Sequence, residues 1–332
     1  MVGCTFLPSS GKAVQIKLNS VQNQPQTAFI DVAAATLWTQ PDRARPIDEP
    51  SLTNPVDLWK WTKSMTVDQK RWLVGELQTQ ALYGNKVTIL QEKGDWVKVA
   101  VHGQPTPKNK LGYPAWMPKA QLAYNDRFNQ YQGDPFALIT SPTAWLYNDA
   151  EFHHQFKEIS FNTRLPVIKE KQHKKAVLVA TPSDGNKWIK AADVAIYPSE
   201  EAIPEPTGED LVRTAKKFLG LPYLWAGTSG FGFDCSGFTY TIYKSYGITI
   251  PRDSSVQAVH GKPIDKKDLQ PGDLVFFAYN HGKGYVHHVG MYVGNGKMIN
   301  SPNSSTTVKI SDIFDSPYWA DQYAGARRYI KD

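Results

Sequence analysis

Only two cysteines, Cys4 and Cys235, occur among 332 residues. A pair cannot supply a disulfide framework or a thiolate zinc site, so each cysteine acts singly or not at all. No apolar run approaches the ~18 residues a membrane-spanning helix needs. A one-sided charge is missing as well: 37 Lys and Arg against 31 Asp and Glu leave a formal +6 spread along the chain. Nucleic-acid binders gather such charge into a patch or stripe. Here only Lys169–Lys175 clusters, and it reads more simply as an exposed hairpin, so no nucleic-acid partner is expected. What is present is ordinary globular composition, 41% hydrophobic, in a chain long enough for two or three domains with cores of their own.

Met1-Val2-Gly3-Cys4 carries neither a charged n-region nor a long apolar segment. Small residues before Cys4 look like the downstream end of a bacterial lipoprotein cleavage site, which would make Cys4 a lipid anchor. An incidental terminal cysteine reads the same way. Residues 1–29 are taken as an N-terminal extension.

From 30 to 125, short β-type runs alternate with turn signals: Ala35–Trp38, Lys86–Leu90, Asp95–Val99 and Ala115–Pro118. Such runs argue for a small barrel. Between Arg43 and Trp72 this unit carries an insertion, Pro-rich at first and then helix-like over Val56–Ser64 and Thr66–Leu73. A weak echo follows over 126–198, with runs at Thr143–Tyr147, Leu165–Ile168, Ala176–Val179 and Lys187–Lys190. Residues 199–206, acidic and punctuated by Pro204 and Pro206, form a linker. Beyond it, 207–332 reads as α+β: a helix capped by Thr207 with Asp210, a Gly-rich loop, a second helix, then strands.

Gly230-Phe231-Gly232-Phe233-Asp234-Cys235-Ser236-Gly237-Phe238 is the most informative stretch. It places Cys235 at the start of a helix whose apolar positions are Phe238, Ile242 and Tyr246. Free N–H groups and the helix dipole there favour a thiolate, so a thiol pKa below the free value of about 8.5 is expected. A buried, inert cysteine would look the same locally. Downstream, Gln270–Phe277 is a turn feeding a buried strand, and His287–Val293 is a strand that begins with histidines. A cysteine nucleophile needs an imidazole to take its proton, and that imidazole needs an acceptor on its other nitrogen. Cys235, His288 and Asn300 supply the three types.

Phe-Asp-Cys-Ser-Gly-Phe, Leu-Gln-Pro-Gly-Asp-Leu-Val-Phe-Phe and His-His-Val-Gly-Met-Tyr-Val-Gly-Asn-Gly together resemble the signatures of the NlpC/P60-type cysteine peptidases, which cut peptidoglycan peptides. The resemblance covers roughly 207–332, and the two upstream β units look like bacterial SH3-like domains. Their tandem order, with Pro46-Ile47-Asp48 and Leu82-Tyr83-Gly84, is similar to the γ-D-glutamyl-L-diamino acid endopeptidases. The implied fold is therefore a papain-like cysteine peptidase domain preceded by two small SH3-like barrels, α+β overall.

The resemblance makes Cys235 the nucleophile and His288 the base, with His287 the competitor, because the family's His-Val-Gly pattern starts at His288. The family's usual second histidine is replaced by Asn300, whose carbonyl can accept the imidazole N–H. Hairpin geometry constrains this triad. With a plain two-residue Asn295-Gly296 turn, Asn300 would pair opposite Met291 and face away from His288. The triad therefore requires a three-residue loop or a bulge.

By the same resemblance, Asp234 and Asp253 meet the substrate amine, and Ser236 and Ser254 meet the D-Glu carboxylate. Tyr223 and Trp225 wall the site, with the Tyr223 hydroxyl assisting the Cys235 N–H at the oxyanion. Tyr113 closes one cleft end in the first β unit. Its usual acidic companion is ambiguous: Glu76 and Gln78 would share one strand face. Capping, turn and ordinary barrel roles are the plain alternatives for these polar and aromatic residues. The expected activity releases L-Ala-D-Glu from free murein peptides, with no metal or cofactor, by a monomer whose SH3-like units can touch the wall. An endopeptidase on intact wall and a non-catalytic wall-binding module are the competing readings. A cell-envelope location is expected, the cytosol being left open, and lysine is not distinguished from diaminopimelate.

Overall fold

The computed structural model describes residues 26–131, 133, 135–170 and 175–331. Cys4, most of the extension and the centre of Lys169–Lys175 lie outside the described residues.

The first β unit contains β1 (Thr27–Ile30), β2 (Ala34–Trp38), β3 (Leu77–Leu82), β4 (Lys86–Lys93), β5 (Trp96–Val101), β6 (Tyr113–Pro118) and β7 (Leu122–Ala123). Its first strand starts inside the stretch read from sequence as an extension. The second unit contains β8 (Phe136–Ile139), β9 (Thr143–Tyr147), β10 (Gln155–Ser160), β11 (Arg164–Glu170), β12 (Ala176–Ala180), β13 (Asn186–Lys190) and β14 (Val194–Tyr197). Their sheets run β3-β2-β6-β5-β4-β1-β7 and β10-β9-β13-β12-β11-β8-β14. Counted from each unit's own first strand, the two orders are identical. The echo in the sequence is thus a repeated topology.

Alternation drives the strands: in β5, Val97 and Val99 point into the core while Trp96 and Lys98 are only half-buried. The insertion between β2 and β3 folds into α1 (Leu58–Ser64) and α2 (Val67–Trp72). Asp57 caps the first, and Thr66 with Gln69 forms a reciprocal capping box on the second. A short helix, α3 (Asp126–Gln130), joins the two units.

The C-terminal domain packs α4 (Gly208–Lys216) and α5 (Cys235–Lys244) against a six-stranded antiparallel sheet. Besides the small hairpin of β15 (Thr228–Ser229) and β16 (Gly232–Phe233), its strands are β17 (Lys262–Ile264), β18 (Leu274–Ala278), β19 (Val286–Gly294), β20 (Lys297–Asn300), β21 (Lys309–Asp312) and β22 (Tyr323–Arg328). Their order is β17-β22-β18-β19-β20-β21. One-turn helix α6 (Ser254–Gln257) sits across the cleft from α5.

The first unit is welded to this domain rather than tethered to it. Trp38, Leu58, Trp61, Leu77 and Trp116 share one apolar cluster with Leu224, Ala226 and Phe231. A buried Leu or Phe of this kind stabilises the packed state by roughly 1.5–3 kcal/mol relative to exposure. Polar bonds fix the register: the Gln80 side-chain carbonyl accepts from Thr228 N–H at 3.1 Å and Ser229 Oγ at 2.8 Å, and Pro105 O accepts from Arg252 N–H at 3.1 Å. Among the described residues no helix is long and apolar enough to cross a membrane.

Candidate active site

Cys235 opens α5, and the Asp234 carboxylate before it caps the helix by accepting from Gly237 N–H at 2.6 Å. Gly237 has to be glycine, because a Cβ there would lie 2.0 Å from the Gly227 carbonyl oxygen. The backbone N–H groups of Val289 and Ser236 reach the buried sulfur, which places the thiol against the strand that carries His288. Nevertheless the thiol is pushed up to about 12, first by burial and then by the Asp234 charge. This corrects the expectation of a lowered pKa. The helix start does supply stabilising N–H donors, but the loss of water around a buried sulfur outweighs them.

His288 is buried beside Phe277 and stacks on Trp319 with ring centroids 4.8 Å apart. Its Nε2 lies 3.1 Å from Asn300 Oδ1. The amide orientation follows from its other end, where Nδ2 donates to Lys309 O and Ser311 Oγ at 3.3 and 3.1 Å. Nε2 therefore carries the proton and Nδ1 is left with a lone pair. Burial pushes the imidazole down to about 3, with His287 adding to the fall and the Asn300 bond opposing it.

These two side chains meet because the hairpin is bulged. Tyr292 pairs with Met298 and Gly294 with Lys297, so Val293 is the extra residue. Asn295 and Gly296, both at positive φ, form the two-residue turn. The bulge shifts Asn300 from opposite Met291 to opposite Gly290, onto the face of His288. A Cβ at Gly290 would come within 2.4 Å of Met298 Sδ and 3.2 Å of Asn300 Cβ, so the missing side chain makes room for the pairing. His287, by contrast, turns into the cleft wall, stacked on Tyr279 and paired at 2.6 Å with Gln322 Oε1.

A cleft of about 480 Å³ lies over the thiol. Gln78, Tyr113, Tyr223, Trp225, Asp234, Cys235, Ser236, Asp253 and Ser254 all line it. Tyr223 is buried close enough to Cys235 for a negative sulfur to hold the phenol proton on, burial being the larger cause. Trp225 donates through Nε1 to Leu77 O at 3.0 Å and ties the wall to β3. A larger cavity of about 640 Å³ lies between the insertion and the second unit, lined by Trp59, Trp145 and Phe156 but by no cysteine or histidine.

The polar residues divide differently from the sequence expectation. Asp234 is not a free anion for an amine. Arg252, 1% exposed, grips it with Nη2 at 2.7 Å and Nη1 at 3.2 Å. Arg252 also donates to Ser236 Oγ at 2.9 Å and Thr79 Oγ1 at 3.1 Å, so the guanidinium orients the serine. Asp253 faces the cleft and accepts from the Tyr113 hydroxyl at 3.0 and 3.1 Å.

Glu76 is separated from the cleft, its carboxylate paired with Arg43 at 2.5 and 2.8 Å. The expectation that Glu76 and Gln78 share a strand face is overturned by a bulge. Leu37 pairs with Thr79 and Trp38 with Leu77, leaving Gln78 as the extra residue and breaking the alternation. Arg252 and Lys108 are cleft residues whose roles the sequence reading missed. Their signals were an arginine beside Asp253 and a lysine in the loop before Tyr113. Among the described residues no cluster of three His, Cys, Asp or Glu could hold a metal ion.

The NlpC/P60 family model matches residues 220–328, and the YKFC SH3b2 domain model matches 139–197. The chain is 56% identical over 311 residues, 93% of its length and 92% of the relative's, to a gamma-D-glutamyl-L-lysine dipeptidyl-peptidase of Bacillus cereus. A protein of the same name from Bacillus subtilis is 41% identical over 86% of this chain and 93% of its own. A crystal structure of an NlpC/P60 family protein from Bacillus cereus superposes with a TM-score of 0.89 at 57% identity, covering 92% of this chain and all of that one. With a cysteine at a helix start, a buried histidine–asparagine pair and this likeness along nearly its whole length, the chain belongs to the NlpC/P60 family of peptidases.

Proposed function

We propose that the protein is a cysteine peptidase that hydrolyses the γ-D-glutamyl–L-lysine bond of short murein peptides and releases L-Ala-γ-D-Glu. The observation that carries this reading is the Tyr113–Asp253 pair. A first-unit tyrosine and a peptidase-domain carboxylate, both lining the cleft, bond each other at 3.0 Å, and in this reading they close one end of it to all but a short, free N-terminus. The names of the two Bacillus relatives support the same bond and the lysine.

In this mechanism Cys235 Sγ attacks the γ-carbonyl carbon as its proton passes to His288 Nδ1. Because burial keeps the thiol protonated and the imidazole neutral, the proton moves on attack, not before it. The Cys235 N–H and the Tyr223 hydroxyl receive the oxyanion. His288 then protonates the leaving lysine amine, and a thioester remains on Sγ. Water attacks the thioester as its proton passes to His288, the C–Sγ bond breaks to free the dipeptide, and Sγ takes that proton from His288, which restores the thiol. Asn300 holds the imidazole's orientation throughout. Ser236 and Ser254 receive the D-Glu carboxylate, and Asp253 receives the N-terminal ammonium. We place this activity in the cell envelope, in a monomer, with the SH3-like units available for wall contact.

The test is digestion of L-Ala-γ-D-Glu-L-Lys beside intact sacculi. The expected result is dipeptide from the free tripeptide and little from sacculi; rapid cleavage of sacculi with neglect of the tripeptide overturns the reading.

A further inference from the structure

The carboxylate that closes the cleft is already in contact with a cation. Lys108 Nζ donates to Gln78 Oε1 at 2.9 Å, bonds the Tyr113 hydroxyl and lies 3.6 Å from Asp253 Oδ2. It also stands 4.4 Å from the centroid of the Tyr113 ring. A carboxylate, an amide oxygen, a phenol and an aromatic face are the groups that recognise an ammonium ion. We propose that Lys108 is a built-in occupant of the amine subsite, a tethered ammonium that an incoming peptide's N-terminus has to displace. This rests on the amine-binding role given to Asp253 above.

Two features support displacement rather than permanent pairing. First, among the described residues the cleft offers no second anion that lacks its own cation. The acidic side chains lining the cleft are Asp234 and Asp253, and Asp234 is held by Arg252. A substrate ammonium and Lys108 therefore compete for one carboxylate. Gln78 supplies a carbonyl but no compensating charge.

Second, the loop is fixed at its root and exposed at its tip. Gly103 O accepts from the Tyr240 hydroxyl at 2.9 Å, and Gln104 bridges Thr79 Oγ1 and Gln80 O, both at 2.7 Å. Pro105 O accepts from Arg252 N–H. Lys108 itself reaches inward from the exposed tip, its side chain 44% accessible, so a rotamer change alone carries Nζ into water.

Kinetics of Lys108→Met on L-Ala-γ-D-Glu-L-Lys test the proposal, since the variant keeps an apolar stem and removes the charge. KM falls about 5-fold, the scale of a half-exposed ion pair, with kcat unchanged, and Lys108→Arg returns KM towards the starting value. An unchanged or raised KM in Lys108→Met overturns the proposal.

A second readout does not depend on turnover. With lysines carrying ¹³C-methyl labels by reductive methylation, the Lys108 resonance moves on adding L-alaninamide, stays in place with N-acetyl-L-alaninamide, and moves in Asp253→Asn. A Lys108 resonance unmoved by both L-alaninamide and Asp253→Asn overturns the seating. Failure to cleave the tripeptide with these shifts intact removes the peptidase reading and leaves the occupied subsite standing.

Discussion

The imidazole of His288 and the amide of Asn300 meet at 3.1 Å only because one residue, Val293, is bulged out of the hairpin that joins their strands. The amide is held from behind by Lys309 and Ser311, so its carbonyl has one fixed direction. Asn300→Ala removes the acceptor and leaves a buried N–H unpaired, which costs on the order of 1.4 kcal/mol or more. We expect kcat/KM to fall at least about 10-fold with KM little changed. Steady-state kinetics on the tripeptide check this.

Removing the thiol gives the largest loss. Cys235→Ala keeps the helix cap, since Asp234 bonds the Gly237 N–H and not the cysteine. The variant should fold with wild-type circular dichroism while hydrolysis drops by about 10⁴-fold or more. Iodoacetamide then has no active-site target, and mass spectrometry after labelling separates the two proteins.

His288 should also make the fold acid-sensitive. Its pKa is depressed to about 3 in the folded chain, against about 6.5 when unfolded. Between those values the unfolded chain binds one more proton, so unfolding becomes easier as pH drops. The contribution is about 1.4 kcal/mol per pH unit and vanishes above about 6.5. Urea unfolding at pH 7, 6, 5 and 4 should give a shallower loss of stability for His288→Gln than for the parent.

Arg252 and Asp234 form a buried pair on which the position of Cys235 depends. Arg252→Met leaves the Asp234 carboxylate buried without its cation, a loss of about 3–5 kcal/mol. The double variant Arg252→Met with Asp234→Asn should recover much of this, because the asparagine oxygen still caps α5. Chemical denaturation of the three proteins measures the recovery.

Much of this molecule is legible in its sequence, for identifiable reasons. Strands such as Lys86–Leu90 and Ala176–Val179 announce themselves by β-branched runs, and Thr207 with Asp210 marks a capping box that the fold contains. The strands that escaped, β3 and β10 among them, are rich in Gln, Thr, Lys or Glu and take their shape from neighbours. Bulges set the rest. One brought Asn300 to His288, and another pulled Gln78 away from the face of Glu76; a bulge depends on pairing partners, which residue types alone do not specify. The thiol pKa was misjudged because helix position is local, whereas burial is a property of the whole packed domain. Lys108 escaped notice because its partners come from β3, β6 and the start of α6.

The two β units share a strand order but differ sharply in two of their connections. In the second unit β9 and β10 are joined by residues 148–154, and β12 and β13 by 181–185. The equivalent connections of the first unit are 39–76, which folds into α1 and α2, and 102–112, which carries Lys108. Both elongated loops press on the peptidase domain. One copy of a repeated scaffold has thus become a collar for the peptidase domain, its strand order unchanged and the added contacts carried by two elongated loops beside Gln78 and Tyr113 on the frame. Trimming 102–112 to the length of its counterpart would accordingly remove Lys108 from the cleft while leaving Tyr113 on the frame, paired with Asp253.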